Sequence, residues 1–323
     1  MGEVHFRLFA GDTDFPGMVR ALDGALGADG IDRTETVESF SQTYRHLTNC
    51  DPLTDILIAE DTTGIVGYSR VTWRVVAATN VRRMSQFGWV DAAVRGRGVG
   101  TAMLEWCEQR LREIAGAMSH DGVTQFGSWY DERETAKGVL LVEKGYTIDE
   151  VDAEMVRPLD IEIPDHPLPP GLRIVPKSID DAAVVFGADN EAFRDHVGYV
   201  EPSEEDYQDF VTGSYGKNPS LWRVAEDDEG IAASVLNYVD DAYNDKFGRL
   251  RGYTESISTQ RRWRGKGAAK ALIVESMRMF RDMGMTEVAL EVHTTNPTGA
   301  FQLYEGLGYQ VVATSYEVSR PFD

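Results

Sequence analysis

One short pattern occurs twice in this chain, and the repeat constrains its architecture before anything else does. Arg95-Gly96-Arg97-Gly98-Val99-Gly100 and Arg264-Gly265-Lys266-Gly267-Ala268-Ala269 both read R-x-x-G-x-[GA], with Arg95 and Arg264 separated by 169 residues in a chain of 323. Each copy follows a strand-like run and opens an amphipathic helix. A second echo lies downstream, where Glu143-Lys144-Gly145-Tyr146 matches Gly306-Leu307-Gly308-Tyr309 at an offset of 163. Two signals at nearly one offset imply a tandem duplication, so each half reads as one copy of the same unit. The length suits two domains of about 150 residues, each large enough for its own core.

A proline-rich stretch, 158–171, predicts a stiff linker between an N-terminal domain 1–157 and a C-terminal domain 172–323. Each half shows the order β-α-α-β-β-β-motif-α-β-α-β. In the second half, the turn Asp227-Asp228-Glu229-Gly230 joins two strand-like runs, and Arg251 to Thr259 forms the strand before the motif. Leu272, Ile273, Met277 and Phe280 then recur near helical spacing. The expected fold is α/β: two tandem domains, each a mixed, mostly antiparallel sheet flanked by helices.

The formal charge of −21, from 53 acidic and 32 basic residues, argues against a nucleic-acid partner, because phosphate backbones are held by clustered Lys and Arg. It suits a cationic substrate, and it also serves solubility. No run approaches the roughly 18 apolar residues of a membrane span, and the first residues lack a signal peptide's basic-then-apolar layout. The two cysteines, Cys50 and Cys107, form neither metal spacing nor a disulfide framework, so a reducing cytoplasm is expected.

A glycine loop at a helix start lets backbone N–H groups approach a ligand without intervening side chains, and the helix dipole adds to them. Together they make a pyrophosphate site. A tight strand-to-helix turn without a ligand has the same composition. Two rival motifs fail on spacing: Gly265-Lys266-Gly267 lacks the first glycine and the hydroxyl of a Walker A loop, and Thr101 or Met103 falls where the dinucleotide fingerprint needs its last glycine.

The motif is followed by Asn296-Pro297-Thr298-Gly299-Ala300-Phe301-Gln302-Leu303-Tyr304-Glu305-Gly306-Leu307-Gly308-Tyr309, which fits N-x-x-[GA]-x-x-x-Y-x-x-x-G-[FY]. With this second element the chain resembles the GNAT superfamily of acyl-CoA-dependent N-acetyltransferases, strongly in the second half and partially in the first. Two fused modules, and the segment Phe193 to Gly198, also resemble the mycothiol synthase group. That group generally carries its strand glutamate two residues earlier, at the position of Tyr253 here.

The resemblance implies acetyl-CoA as cosubstrate and a primary amine of a small molecule as acceptor. It implies that Glu255, nine residues before Arg264, acts as base and Tyr304 as acid. Ile257, Ser258 and Thr259 would then meet pantetheine, with the Ile257 N–H polarising the acetyl carbonyl. Arg264 to Ala269 and Asn296 would hold the rest of the cofactor. In the first half, Val90 and Arg95 to Gly100 offer the same binding elements, but Gln86 and Leu141 stand opposite Glu255 and Tyr304, so that half is expected to be non-catalytic. Glu201, Glu204, Glu205 and Asp206, with His196, are candidates for an acceptor site, although helix capping explains the acids equally well. Two other readings stay open: acetylation of an amino-sugar thiol, as in mycothiol synthesis, and a non-catalytic acyl-CoA-binding module.

Overall fold

A computed structural model describes residues 3–33, 35–76, 79–195, 199–295 and 299–323. The chain divides into two compact units. Unit 1 comprises Met1–Val151 with Ser315–Asp323, and unit 2 comprises Asp152–Thr314.

In unit 1 the strands are β1 (His5–Leu8), β2 (Ile56–Asp61), β3 (Gly64–Val76), β4 (Val81–Val90) and β5 (Thr124–Asp131). The helices are α1 (Phe15–Ala28), α2 (Val37–Arg45), α3 (Pro52–Asp55), α4 (Val99–Gly116) and α5 (Thr135–Glu143). β6 (Thr147–Pro158) leads into unit 2, with β7 (Arg173–Ile174), β8 (Arg223–Asp227), β9 (Gly230–Val239), β10 (Arg251–Thr259) and β11 (Glu287–His293). Its helices are α6 (Ala182–Phe193), α7 (Glu204–Thr212), α8 (Ser214–Lys217), α9 (Asp241–Phe247), α10 (Ala268–Asp282) and α11 (Ala300–Gly306), and β12 (Gln310–Pro321) closes the chain.

Each unit's sheet is antiparallel except for one central parallel pair, β4 with β5 in unit 1 and β10 with β11 in unit 2. That pair is joined through the motif helix, as a parallel connection requires. On α10, Ala268, Leu272, Met277 and Phe280 bury one stripe against Val235, Val288 and Leu290. On α4, Leu104, Cys107 and Leu111 do the same against Val71, Met84 and Phe126. These stripes are the helical periodicity visible in the sequence.

The units are not the contiguous segments 1–157 and 172–323, because each takes its last strand from the other end of its expected partner. Ser315–Pro321 of β12 pair antiparallel with Asp131–Gln125 of β5, and Val318 joins the unit 1 core. Asp152–Pro158 of β6 pair antiparallel with His293–Glu287 of β11, and Ala153 and Met155 join the unit 2 core. Nor is 158–171 a free linker. Leu159 is 2% exposed and its N–H donates to the Thr286 carbonyl at 2.8 Å. Arg157, 1% exposed, donates to the carbonyls of Leu307 at 2.7 Å, Pro158 at 2.8 Å and Glu162 at 2.7 Å. Proline keeps this segment extended, while buried side chains pin it down. Arg157 also meets the carbonyl end of α11, where a cation is favourable.

Candidate active site

β10 pairs with β11 only from Arg251 to Tyr253, opposite Glu287 to Ala289, and the parallel ladder then ends. On its other side the ladder with β9 slips: Glu255 opposes Leu236 and Ser258 opposes Ser234, so Ser256 and Ile257 together face one residue. This is a β-bulge, and it takes the Ile257 N–H out of the regular ladder. Ser256 has φ 41°, a left-handed conformation uncommon outside glycine. Its hydroxyl donates to Asp189 on α6 at 2.5 Å. Ser234 reaches the same carboxylate at 3.5 Å and meets the Ser258 hydroxyl at 2.8 Å. Burial lifts the Asp189 carboxyl to about 6, against the pull of these serine hydroxyls.

Glu255 reaches across the gap between the splayed strands, and its Oε1 accepts the Glu291 N–H at 3.0 Å. Burial, followed by the neighbouring Glu291 charge, pushes its pKa up to about 8, with the Glu291 N–H opposing. A carboxyl in that range can take a proton from an amine near neutral pH. Tyr304 on α11 is 6% exposed, and burial, then the charge of Glu255, push its phenol well above the ordinary range.

The glycine loop lies at one end of a cleft that Tyr304 also lines. Gly265 and Gly267 have φ of 71° and 88°, and Gly267 caps α10 with no side-chain hydrogen bond to its first turn. The opening N–H groups of a helix lack intrahelical partners, so those of Ala268 and Ala269 are available to a ligand. A Cβ at Gly265 or Gly267 would meet nothing within 4 Å. Glycine is therefore required there by φ, and the space before the donors is open. A cleft of about 530 Å³ runs from Arg264, Gly265 and Gly267 past Ile257, Ser258 and Thr259 to Tyr304. These groups fit a pyrophosphate at the helix start and an acyl arm along the bulged strand.

Arg264 does other work. It donates to the carbonyls of Thr259 at 3.2 Å and Ala192 at 2.8 Å and to Asp195 at 2.8 Å, tying the loop to the end of α6. The Lys266 ammonium lies over the Trp263 ring, 4.9 Å from its centre. Asn296 and His196 fall outside the described residues. Ser203 and Asp206 form a reciprocal cap on α7, and Glu201 pairs with Arg194 at 3.4 Å.

Unit 1 repeats the loop but not the carboxyl and phenol side chains. Gly96 and Gly98 have φ of 72° and 80°, Arg97 lies between them, and Gly98 opens α4 without a side-chain cap. Val90, Gly96, Gly98, Val99 and Gly100 line a pocket of about 470 Å³. Arg95 is held by Asp29 at 2.6 and 2.8 Å and by the Val90 carbonyl at 3.2 Å. Gln86 spans the strand gap by donating to Ser128 at 2.8 Å, where unit 2 has Glu255. Leu141, 1% exposed, stands on α5 where α11 carries Tyr304. The β3–β4 ladder runs from Gly67 opposite Val90 to Val76 opposite Val81 without a slip, so β4 lacks the bulge that β10 carries. Neither the bulge nor Asp189 was found from sequence, because the carboxylate lies 67 residues from the serine it holds.

Residues 187–309 match the acetyltransferase (GNAT) family. A GCN5-related N-acetyltransferase from Sphaerobacter thermophilus has a similar fold, with a TM-score of 0.74 over 99% of this chain and 96% of that one at 23% identity. A tandem GNAT protein from the clavulanic acid biosynthesis pathway gives 0.69 over 99% of each chain at 14% identity. The chain has the fold of a tandem GNAT protein. Among curated relatives, N-acetyltransferase 8F1 of Rattus norvegicus is 42% identical over 62 residues, 19% of this chain and 27% of that protein. A mycothiol acetyltransferase of Propionibacterium freudenreichii is 26% identical over 171 residues, 52% of this chain and 53% of that protein. The matches thus span about a quarter and about half of these two relatives. Among the described residues, no helix is long and apolar enough to cross a membrane.

Proposed function

We propose that unit 2 transfers an acetyl group from acetyl-CoA to a primary amine of a small molecule by direct attack. The observation that carries this reading is the Glu255 carboxyl, raised to about 8 on the bulged strand whose next residues line the cleft. Glu255 takes the proton that an alkylammonium must lose before it can attack. The nitrogen then bonds to the thioester carbon, whose oxygen receives the Ile257 N–H freed by the bulge. The carbon–sulfur bond breaks, and Tyr304, which burial keeps protonated, supplies a proton to the departing thiolate.

A covalent acetyl-enzyme is disfavoured because burial pushes both Cys50 and Cys107 up to about 12, far from a thiolate at neutral pH. A cationic acceptor is favoured by the acidic surroundings of Glu255, where Glu291 and Glu154 add to its field. Similarity to a mycothiol acetyltransferase supports a small-molecule acceptor, and an amino-sugar is one candidate class. Unit 1 takes acyl-CoA through its own glycine loop, without the acid–base pair.

The test is an amine screen with acetyl-CoA followed by Glu255→Gln and Tyr304→Phe on the best acceptor. Each variant is expected to lose about 10²-fold or more in kcat, the usual worth of a positioned acid or base, with acetyl-CoA affinity retained. Unchanged turnover in both would remove these assignments. Acetyl-CoA binding without transfer to any amine would favour the binding-module reading.

A further inference from the structure

Lys137 lies in the unit 1 pocket with its polarity reversed. A lysine normally rests its stem on apolar surface and keeps its ammonium in water. Here Nζ is shut off from solvent and donates no well-formed hydrogen bond among the described residues. It sits 5.1 Å from the ring centre of Trp89 and 5.5 Å from that of Trp129. Its ion-pair partner is Glu134, one helical turn back at 3.5 Å, with a side chain only 4% exposed. Trp89 Nε1 is likewise buried without an acceptor. A buried indole N–H without an acceptor, beside a buried ammonium held only by one loose ion pair, is costly unless something else supplies an acceptor. Both side chains line the pocket that holds Gly96, Gly98 and Gly100.

From this arrangement we infer that unit 1 acylates itself: Lys137 Nζ accepts the acyl group of an acyl-CoA thioester bound at its own glycine loop. The inference rests on the reading that this loop takes acyl-CoA. Unit 1 lacks an acid–base pair for a diffusing amine, but it carries a built-in amine with a carboxylate at its side. Glu134 takes one proton from the ammonium. The freed nitrogen bonds to the thioester carbon while the carbonyl oxygen accepts from Trp89 Nε1. The carbon–sulfur bond then breaks, the second nitrogen proton goes to the sulfur, and the products are an amide and free CoA thiol. Glu134 returns its proton to water. Desolvation pulls the Lys137 ammonium below its ordinary range, with Glu134 opposing, which favours the nucleophilic amine.

The full chain is incubated with acetyl-CoA and each lysine is followed by peptide mass spectrometry. The expected result is one acetyl group on Lys137, with a rate that saturates in acetyl-CoA and is suppressed by CoA. It should precede any label on the exposed Lys217 and Lys246. Lys137→Arg keeps the charge between the tryptophans and should take no label there, while Glu134→Gln should slow labelling about tenfold or more. Label on the exposed lysines with Lys137 unmodified overturns the inference. Calorimetric titration of acetyl-CoA into the Gly267→Glu chain separates the two failures. Binding at the remaining loop with Lys137 unmodified removes self-acylation and leaves the acyl-CoA reading of unit 1 standing. No binding there removes both.

Discussion

At the scale of single residues, Glu255 carries the most testable number. A carboxyl acting as base works only when ionised, and burial beside Glu291 holds this one near 8 instead of in the ordinary carboxylate range. Only a minority of free enzyme is therefore competent at pH 7, and kcat/KM should climb through pH about 8 toward a plateau. The raised phenol of Tyr304 keeps its proton across this window, so the acid should not limit the profile there. A rate already flat above pH 6 would mean that Glu255 is not the base. The same shift has a stability sign. Ionised Glu255 is disfavoured in the fold relative to the unfolded chain, so its contribution is lost as pH rises from the carboxylate range through 8. Glu255 and Tyr304 could be singled out in the sequence only through the resemblance of the motifs around them to the GNAT family. The raised pKa was not legible there, since it depends on burial and then on the charge of Glu291, 36 residues away.

At the scale of elements, the bulge in β10 distinguishes the two halves more sharply than the glycine loops do. Glycine loops are legible because φ near 80° demands glycine, and both copies have it. A bulge at Ser256 is hidden because serine does not announce a left-handed backbone and the anchoring Asp189 sits on α6. The Asp189 carboxylate holds Ser256, and in the proposed mechanism it is a positioning residue that aims the Ile257 N–H through Ser256. A hydrogen bond to a charged group contributes about 1.5–3 kcal/mol. Asp189→Ala should therefore lower kcat about tenfold or more while leaving KM for acetyl-CoA within about twofold. Asp189→Asn, which keeps an acceptor oxygen, should recover part of the loss and keep the Glu255 limb near pH 8, without any further decline from Asp189 as pH falls through 6. Equal losses in kcat and acetyl-CoA affinity would instead mean that the cleft itself has collapsed.

At the scale of the whole molecule, the duplication was readable from two offsets, but the strand exchange was not. β6 and β12 have similar alternating patterns, and nothing local tells a closing strand which parallel pair to join. The deciding contacts are distant: Val318 enters the core around Phe126, while Met155 and Arg157 serve unit 2. This sets up an unusual consequence of truncation. A chain ending at Thr314 loses the partner of β5, the buried Val318 and the Phe322 ring that packs 4.5 Å from Phe126. The damage should appear in unit 1, although the deleted residues follow unit 2 in sequence. Hydrogen exchange should speed up across β4 and β5, whereas β10 and α10 keep their protection and unit 2 still binds acetyl-CoA. Conversely, a fragment 172–323 should fail to fold cooperatively, because it lacks the strand that completes its sheet and the guanidinium that holds α11. Adding back 152–171 should restore a cooperative transition. A fragment 172–323 that melts as sharply as the intact unit would show that sequence contiguity, not the exchanged strand, defines the folding unit.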